Sequence, residues 1–450
     1  MLKKEESDKM VVKLGKGRKK MERRTKGKLG QILLAILFTV SLLAVGCGKK
    51  EGAVKEYENV KEVTLRFFGT EILNSKVWNE QIQAKDGTQI KILETTAEYY
   101  TKTGGDEAYR NYLVERLDKG NEIDWFSIFA EDVFCFTEEE RYLDLSDLKG
   151  VENLSEDALR GCSYDGKVFG IPLIYVGYGF YWNQDMLDSC GLEVPSNLEE
   201  FLSVCRTLKE KGYTPYLGNK GYSMTVPAMA AGFAQLYASE DKDEQIAKLA
   251  DGTTPVSTYM KKGFELVERM RDEGIFDIEE AQNKVPNDSI RDFAEGKGAC
   301  FCGYLGADVE KADFKMVMTG VTVLEDGAVT IVTPDRRVAI NPKSENLEYA
   351  REALEYVADP KHLQSVAREL GTLCAVDDKN IDYSYIGEEK QEFIRLVSSG
   401  NQIPVQDFSM GFNTWIDIRD LCREIVKGKS AEWAAQEYDR MQKEEILQWK

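Results

Sequence analysis

With 450 residues, the chain is long enough for two domains with separate cores, and its 42% hydrophobic and 30% charged residues are ordinary for a soluble globular protein. Residues 1–46 hold 12 of the 59 basic and 4 of the 78 acidic side chains, so the remainder has 47 basic and 74 acidic side chains, a net charge of −27. Such a charge repels nucleic acid and anionic lipid headgroups, which makes both poor partner candidates.

The amino terminus has the anatomy of a secretory signal. A very basic segment precedes Gln31–Gly46, the one long apolar run, which is too short for a comfortable transmembrane helix. The run ends in the sequence LAVGC at Cys47, which resembles a bacterial lipobox, where the cysteine receives diacylglycerol after cleavage. We expect residues 1–46 to be a signal peptide, Cys47 the lipid attachment site and residues 47–61 a charged tether. An uncleaved signal anchor is the alternative.

The next segments alternate between strands and helices. Apolar residues alternate from Val63 to Phe67, a second strand is predicted around Gln89–Leu93, and Ile123–Ile128 is a nearly continuous apolar strand. Between the last two, residues 109–117 place aromatic and leucine side chains at helical spacing. Strands that alternate with helices predict a parallel sheet.

Acidic side chains follow two of these strands. Glu71 lies just past the first strand, and Glu131 and Asp132 lie just past the third. Ligands of open α/β sheets bind beyond the carboxyl ends of the strands. We therefore predict Glu71, Glu131 and Asp132 as ligand-binding residues, although acidic loop residues are commonly only solvated.

Residues 163–205 are the most informative stretch of the chain. Lys167–Ile171 reads as a short buried strand stopped at Pro172, which lacks a backbone donor. Tyr175–Trp182 is a second β-rich run with five aromatic residues and two glycines. Ser196 and Glu199 form an S-x-x-E capping box before a helix with a regular apolar face.

In this order, the segments resemble the extracellular solute-binding proteins of ABC transporters, specifically the sugar-binding cluster of family 1. Residues 166–172 read GKVFGIP against the family's G-x-x-Y-G-I-P, and residues 182–187 read WNQDML against Y-N-K-D-L-F. Residues 191–201 read GLEVPSNLEEF against G-(L/V)-x-x-P-x-T-W-x-E-F. Departures from the family pattern include Phe169, Trp182, Gln184 and Leu198.

The resemblance implies an α/β fold of the periplasmic-binding-protein-like type II, with two discontinuous α/β lobes joined by a hinge. Lobe one would comprise residues 62–172 and 337–382, and lobe two residues 173–335 and 383–450. We expect a mixed sheet flanked by helices in each lobe, and crossovers containing glycine near Pro172–Gly179 as the hinge.

The resemblance also implies a carbohydrate ligand. Residues 289–304 resemble the family's F-x-x-G-K-A-A-M-x-x-x-G-x-W, which places an aromatic ligand contact at or near Tyr304. Tyr178 and Trp415 lie at positions that match other aromatic contacts. Aromatic faces suit sugars because the axial C–H surface of a pyranose is apolar while its edge carries hydroxyls.

We therefore predict a lipid-anchored binding protein at the extracytoplasmic face of the cell membrane. It would be monomeric, capture a carbohydrate and deliver it to an ABC permease. The expectation includes no catalytic residue, no cofactor and no metal: His362 is the one histidine, and no acidic cluster follows it at ligand spacing. Apart from Cys47, most cysteines are expected to be buried free thiols.

Three alternatives stay open at this point. Glycoside hydrolysis needs only two carboxylates, so a secreted carbohydrate-active hydrolase is one of them. A binding protein for a non-sugar solute, such as a peptide or a polyamine, is the second, and a structural surface lipoprotein is the third.

Overall fold

The structure is a computed structural model of the chain. The residues that it describes are 61–69, 73, 78, 81–96, 98–120, 122–129, 141–309, 311–377 and 381–448. The signal segment, Cys47 and the tether up to residue 60 lie outside the described residues, so their assignment stays a prediction.

The described strands are β1 (Glu62–Gly69), β2 (Gln89–Thr96), β3 (Trp125–Ile128), β4 (Ser163–Tyr164), β5 (Lys167–Val168), β6 (Ile171–Asn183), β7 (Tyr216–Leu217), β8 (Cys300–Tyr304), β9 (Met316–Thr319), β10 (Thr330–Ile340) and β11 (Gln402–Pro404). The helices of the amino-terminal 300 residues are α1 (Glu98–Asp118), α2 (Glu156–Arg160), α3 (Gln184–Cys190), α4 (Leu198–Glu210), α5 (Thr225–Tyr237), α6 (Lys242–Ala250), α7 (Ser257–Asp272), α8 (Ile278–Asn283) and α9 (Pro286–Ala294). They are followed by α10 (Leu347–Val357), α11 (Pro360–Leu370), α12 (Gln391–Ser398), α13 (Trp415–Val426) and α14 (Ala431–Gln448). Within the described part of the chain, none of the helices combines the length and the apolar character that a membrane span requires.

One mixed sheet organises the chain. Its strand order is β2-β1-β3-β10-β6-β8-β7, with β11 paired to β10 and β9 paired to β6. Strand β1 runs parallel to both β2 and β3, which confirms the parallel arrangement predicted from the alternation of strands and helices. Strand β10 is antiparallel to β3 and β6 and therefore joins the parallel strands to the rest of the sheet.

The prediction of a separate sheet in each lobe is wrong, because hydrogen bonds join the strands of both proposed lobes into one sheet. Strands β6 and β10 have 13 and 11 residues and pair in one register from Tyr178 with Ile331 to Ile171 with Val338, with no pair at Arg336. One end of β10 also pairs with β3, and the opposite end of β6 pairs with β8. Because both strands are long enough to reach neighbours at each end, the pairing continues through the whole sheet.

Two local predictions are shifted along the chain. Pro172 does not stop a strand but lies inside β6, opposite Arg337 of β10. The helix predicted to begin at a Ser196–Glu199 box begins instead after Asn197, whose side chain accepts from the backbone N–H of Glu200 at 3.0 Å.

The sheet separates hydrophobic cores on its two faces. Phe180 and Trp182 belong to a core built with α4, α5, α7, α13 and α14. The intervening Tyr181 faces the other way and stacks on Phe301 at 5.0 Å between ring centroids. The apolar face predicted for α4 is confirmed, since Phe201 and Leu208 are fully buried.

The cysteines that the structure describes are free thiols. They are Cys162, Cys190, Cys205, Cys300, Cys302, Cys374 and Cys422, and all except Cys190 are buried. Burial raises the pKa of the Cys205 and Cys422 thiols, so these side chains act as small apolar groups. Cys135 lies outside the described residues.

Candidate functional site

Four aromatic rings form a group at one end of β6 and β8. Around Tyr178, the ring centroids of Tyr222, Trp415 and Tyr304 lie at 5.3, 5.7 and 6.4 Å. Tyr222 is 7% exposed, and the other three are partly exposed at the edge of a core. We call Tyr178, Tyr222, Tyr304 and Trp415 the aromatic group.

The sheet register explains why Tyr178 and Tyr304 meet. Tyr178 of β6 lies directly opposite Tyr304 of β8 in the antiparallel pair, so both side chains lie on the same face. The hydroxyl of Tyr181 donates to the backbone carbonyl of Tyr304 at 3.0 Å, which holds the end of β8 in place.

Close packing explains the glycines that flank Tyr178. A Cβ on Gly179 would lie 2.1 Å from the carbonyl oxygen of Thr319, and one on Gly177 would lie 2.6 Å from the ring of Phe393. Neither glycine has a positive φ. These two glycines therefore let neighbouring chain segments approach the sheet, and the hinge expected near Pro172–Gly179 stays a prediction.

Trp415 is the first residue of α13, and a buried polar network positions it. The Thr414 hydroxyl donates to the carbonyl of Val405 at 2.6 Å, and the Thr414 N–H donates to the Gln406 side chain at 2.8 Å. The Gln406 amide in turn donates to the carbonyl of Phe412 at 2.9 Å. The start of α13 is therefore tied to the strand segment that leads into it.

Tyr222 was not predicted as a site residue. It lies in the loop before α5, where the Asn219 side chain accepts from the backbone N–H groups of Gly221 and Tyr222 at 2.9 and 3.1 Å. The Ser223 hydroxyl closes the turn by donating to the Asn219 carbonyl at 2.7 Å. The loop is rich in Tyr, Gly and Met, and this composition made it noticeable in the sequence but did not single out Tyr222.

The hydroxyl of Tyr222 is buried and has no hydrogen-bond partner among the described residues. Burial raises its pKa, so the hydroxyl remains protonated and can donate. A buried hydroxyl without a partner costs free energy, which a ligand that accepts from it would recover.

Tyr304 also lines a cavity of about 850 Å³ beside α9. Phe314 supplies a second ring to this cavity, and Arg291, Glu295 and Lys311 supply charged groups. The volume falls in the range of small-molecule sites. Tyr304 belongs to both the aromatic group and the lining of this cavity.

The acidic candidates Glu71, Glu131 and Asp132 lie outside the described residues. Their strands do approach each other: β1 ends at Gly69, β3 ends at Ile128, and the two are parallel neighbours. The two strands therefore end at the same edge of the sheet, and the role of the three carboxylates that follow them in sequence stays a prediction.

No metal-binding group is present in the described ranges, where no three His, Cys, Asp or Glu side chains come together suitably. His362 packs on Tyr356 with ring centroids 4.0 Å apart, and its Nδ1 lies 2.6 Å from the Tyr356 carbonyl oxygen. This histidine has a local structural role near the start of α11.

Residues 104–378 match the model of a protein family described as bacterial extracellular solute-binding protein. The chain belongs to this family. The predicted membership is therefore confirmed, and with it the extracytoplasmic location that the family implies. Proteins of this extracellular solute-binding family bind their substrates and do not convert them. Among curated proteins, none matches this sequence significantly.

Solved structures of solute-binding proteins share the fold. RafE from Streptococcus pneumoniae, in complex with raffinose, has a TM-score of 0.63 and 16% identity and covers 85% of this chain and 100% of its own. A family 1 extracellular solute-binding protein from Bifidobacterium longum subsp. infantis has a TM-score of 0.63 and 18% identity; the match covers 85% of this chain and 99% of that protein. The GacH receptor of Streptomyces glaucescens has a TM-score of 0.66 and 14% identity; the match covers 87% of this chain and 100% of that protein. These likenesses confirm the predicted periplasmic-binding-protein-like α/β fold of this solute-binding protein.

Proposed function

We propose that this solute-binding protein captures a carbohydrate, expected to be an oligosaccharide, and delivers it to an ABC permease. The observation that carries the proposal is the aromatic group, in which Tyr178, Tyr304 and Trp415 keep part of their ring surface exposed beside the buried hydroxyl of Tyr222. Exposed ring faces fit the apolar C–H surfaces of sugar rings, and a hydroxyl fits their polar edges.

The bound ligands of structural neighbours support a sugar over a peptide or a polyamine. RafE is in complex with raffinose, a sugar transporter from Bacillus licheniformis is in complex with stachyose, and GacH is in complex with acarbose. The proposed lobe-one contacts, Glu71, Glu131 and Asp132, would accept hydrogen bonds from sugar hydroxyls at the opposite wall.

A hinge between two lobes supplies the mechanism. The proposed lobes are residues 62–172 with 337–382 and residues 173–335 with 383–450. Support comes from Arg336, which lies within β10 just before the residues that pair with β3 and has φ of 49°, a value rare for a residue with a side chain. Ligand contacts from both lobes would favour the closed state, by no more than the ligand's preference for that state.

Lipid anchoring at Cys47 would hold the protein at the extracytoplasmic face of the membrane. The support is the basic segment, the apolar run and the LAVGC sequence. Two or three acyl chains anchor a protein firmly, whereas one chain binds only marginally. The charged tether at residues 47–61 would then separate the binding domain from the membrane.

Incubation with oligosaccharides tests the proposed function. The panel would contain raffinose, stachyose, a xylo-oligosaccharide and a chito-oligosaccharide, with spermidine and a tripeptide as non-sugar ligands. A bound ligand at 100 times its dissociation constant stabilises the fold by about 2.7 kcal/mol. We expect a rise in melting temperature with a carbohydrate and no cleavage products. Cleavage products would indicate a hydrolase, and a rise with spermidine or the tripeptide alone would indicate a non-sugar ligand.

A further inference from the structure

Asp407 is a buried carboxylate between β11 and a short 3₁₀ turn, Phe408–Met410. Its Oδ1 accepts from the backbone N–H of Ser409 at 2.9 Å, and its Oδ2 accepts from the Tyr237 hydroxyl at 3.1 Å. The residue is 1% exposed, so its charge needs a partner within the protein.

The cation beside Asp407 comes from a distant part of the chain. Arg160, the last residue of α2, places Nη1 3.6 Å from Asp407 Oδ2, and its side chain is only 17% exposed. The same guanidinium is 3.5 Å from Asp243 at the start of α6 and 3.0 Å from Glu156 within α2. Arg160 therefore joins α2 to two separate elements of the carboxyl-terminal half: α6, through Asp243, and the residue before the 3₁₀ turn, Asp407.

Phe408 makes an apolar contact between the same parts of the chain. It is 4% exposed and packs in a core with Phe126, Ile128 and Phe169, which belong to the first 170 residues. The other side of this segment belongs to a different core, in which Val405 packs with the helices of the carboxyl-terminal half. Asp407 and Phe408 are thus one short segment with a polar and an apolar contact to the amino-terminal part.

In terms of the proposed lobes, Arg160 and the core around Phe169 belong to lobe one, and Tyr237, Asp407 and Phe408 belong to lobe two. We propose that Arg160, Asp407 and Phe408 form a clasp that holds the two lobes at the angle seen in this structure and so sets the affinity for ligand. This inference rests on the proposed hinge, which it extends by naming the contact that controls it.

The clasp works through the cost of an unpaired buried charge. Without Arg160, Asp407 keeps only neutral donors among the residues that the structure describes, so conformations that hydrate its carboxylate become relatively more favourable. A change in the population of one lobe angle changes the apparent affinity for any ligand that prefers one angle. The sugar site itself is untouched, since Arg160 does not contribute to the aromatic group.

Small-angle X-ray scattering of the ligand-free protein tests the clasp without any sugar. We expect the wild-type curve to match the described structure, Arg160→Ala to depart from it, and Tyr237→Phe to depart less. Arg351→Ala is the matched control, because Arg351 is 20% exposed and pairs with Asp147 at 2.9 Å within lobe one. We expect this control to leave the curve unchanged.

Equal scattering curves for wild type, Arg160→Ala and Arg351→Ala would overturn the proposal. If Arg160→Ala lowers the melting temperature without changing the scattering, the Arg160–Asp407 pair only stabilises the fold, and the proposal is likewise overturned. If Arg160→Ala does not fold, Arg160→Gln and Arg160→Lys carry the same comparison. Where a carbohydrate ligand is available, Arg160→Ala should also change its dissociation constant about fivefold or more. A failure of sugar binding alone would contradict the proposed function and leave the scattering result to decide on the clasp.

Discussion

The rings of Tyr178 and Trp415 lie 5.7 Å apart between centroids, although one is in the middle of the sheet and the other begins α13. Their contact combines a strand of the central sheet and a helix near the carboxyl terminus into one aromatic surface. Tyr222 and Tyr304 extend that surface to an Asn-based turn and to the end of β8.

Removal of the Tyr222 hydroxyl should separate ligand binding from stability. In Tyr222→Phe, a buried hydroxyl without a described partner is lost, so we expect an unchanged or higher melting temperature. We also expect the dissociation constant for the carbohydrate to rise about tenfold, as measured by calorimetric titration. Tyr216→Phe is the control, because its hydroxyl donates to the Ser223 carbonyl at 2.6 Å and its loss should lower the melting temperature. Unchanged affinity in Tyr222→Phe would remove this hydroxyl from the site.

Gly179→Ala should destabilise the fold strongly. The new Cβ would lie 2.1 Å from the Thr319 carbonyl oxygen, and a strand backbone cannot move aside as a flexible side chain can. We expect a loss of about 3 kcal/mol in the free energy of unfolding, measured with urea. In the control Gly170→Ala, the nearest atom is the terminal methyl of Ile128 at 3.0 Å, so the loss should be smaller. Equal losses would contradict the packing argument.

Much of the fold could be predicted because its signals are local. The alternation of Val63, Leu65 and Phe67 predicted β1, and the spacing from Phe201 to Leu208 predicted the buried face of α4. The pairing of β6 with β10 depends on residues far apart in the chain, so no local pattern predicts it. The positive φ falls on Arg336, and an arginine carries no signal for that backbone conformation.

Part of the candidate site could be proposed from the sequence because the family resemblance rests on local motifs. The family resemblance identified Tyr178, Tyr304 and Trp415, which the fold brings together. Tyr222 joins them through the turn around Asn219, and its position depends on a three-dimensional hydrogen-bond network rather than on a motif. The roles of Glu71, Glu131 and Asp132, which lie outside the described residues, stay predictions.

Asp417 should make stability depend on pH. Its carboxyl is 5% exposed, and burial, together with the neighbouring charge of Glu445, raises its pKa to about 9. An unfolded aspartate has a pKa of about 3.9, so the folded protein holds the proton more tightly between these values. The stabilising contribution is fully present below pH ~4 and is lost progressively as pH rises through 9.

Replacement of this carboxyl should flatten the pH profile. We expect Asp417→Asn to reduce the decline in unfolding free energy between pH 5 and pH 8 by an amount on the order of a few kcal/mol. Asp420→Asn, on the same helix and about half exposed, should follow the wild-type profile. Chemical denaturation at several pH values measures both. An unchanged slope in Asp417→Asn would show that this carboxyl titrates normally.

Cys47→Ser should release the protein from the membrane. We expect the wild type in the membrane fraction and the variant, after signal cleavage, in the soluble extracytoplasmic fraction, because acylation needs the thiol. Cys190→Ser, a change at a partly buried thiol of the folded domain, should remain membrane-bound. An equal membrane fraction for Cys47→Ser and wild type would contradict the lipobox prediction.

Titration of wild type and Trp415→Ala with the carbohydrate that raises the melting temperature tests the central claim most directly. Trp415 keeps part of its ring exposed beside Tyr178, so its loss should remove a stacking surface without a large core cavity. We predict a rise in the dissociation constant of about tenfold or more with a small change in melting temperature, while Trp433→Ala, on α14, binds as the wild type does. Unchanged affinity together with a large fall in melting temperature would make Trp415 a core residue and would contradict the assignment of the sugar site to the aromatic group.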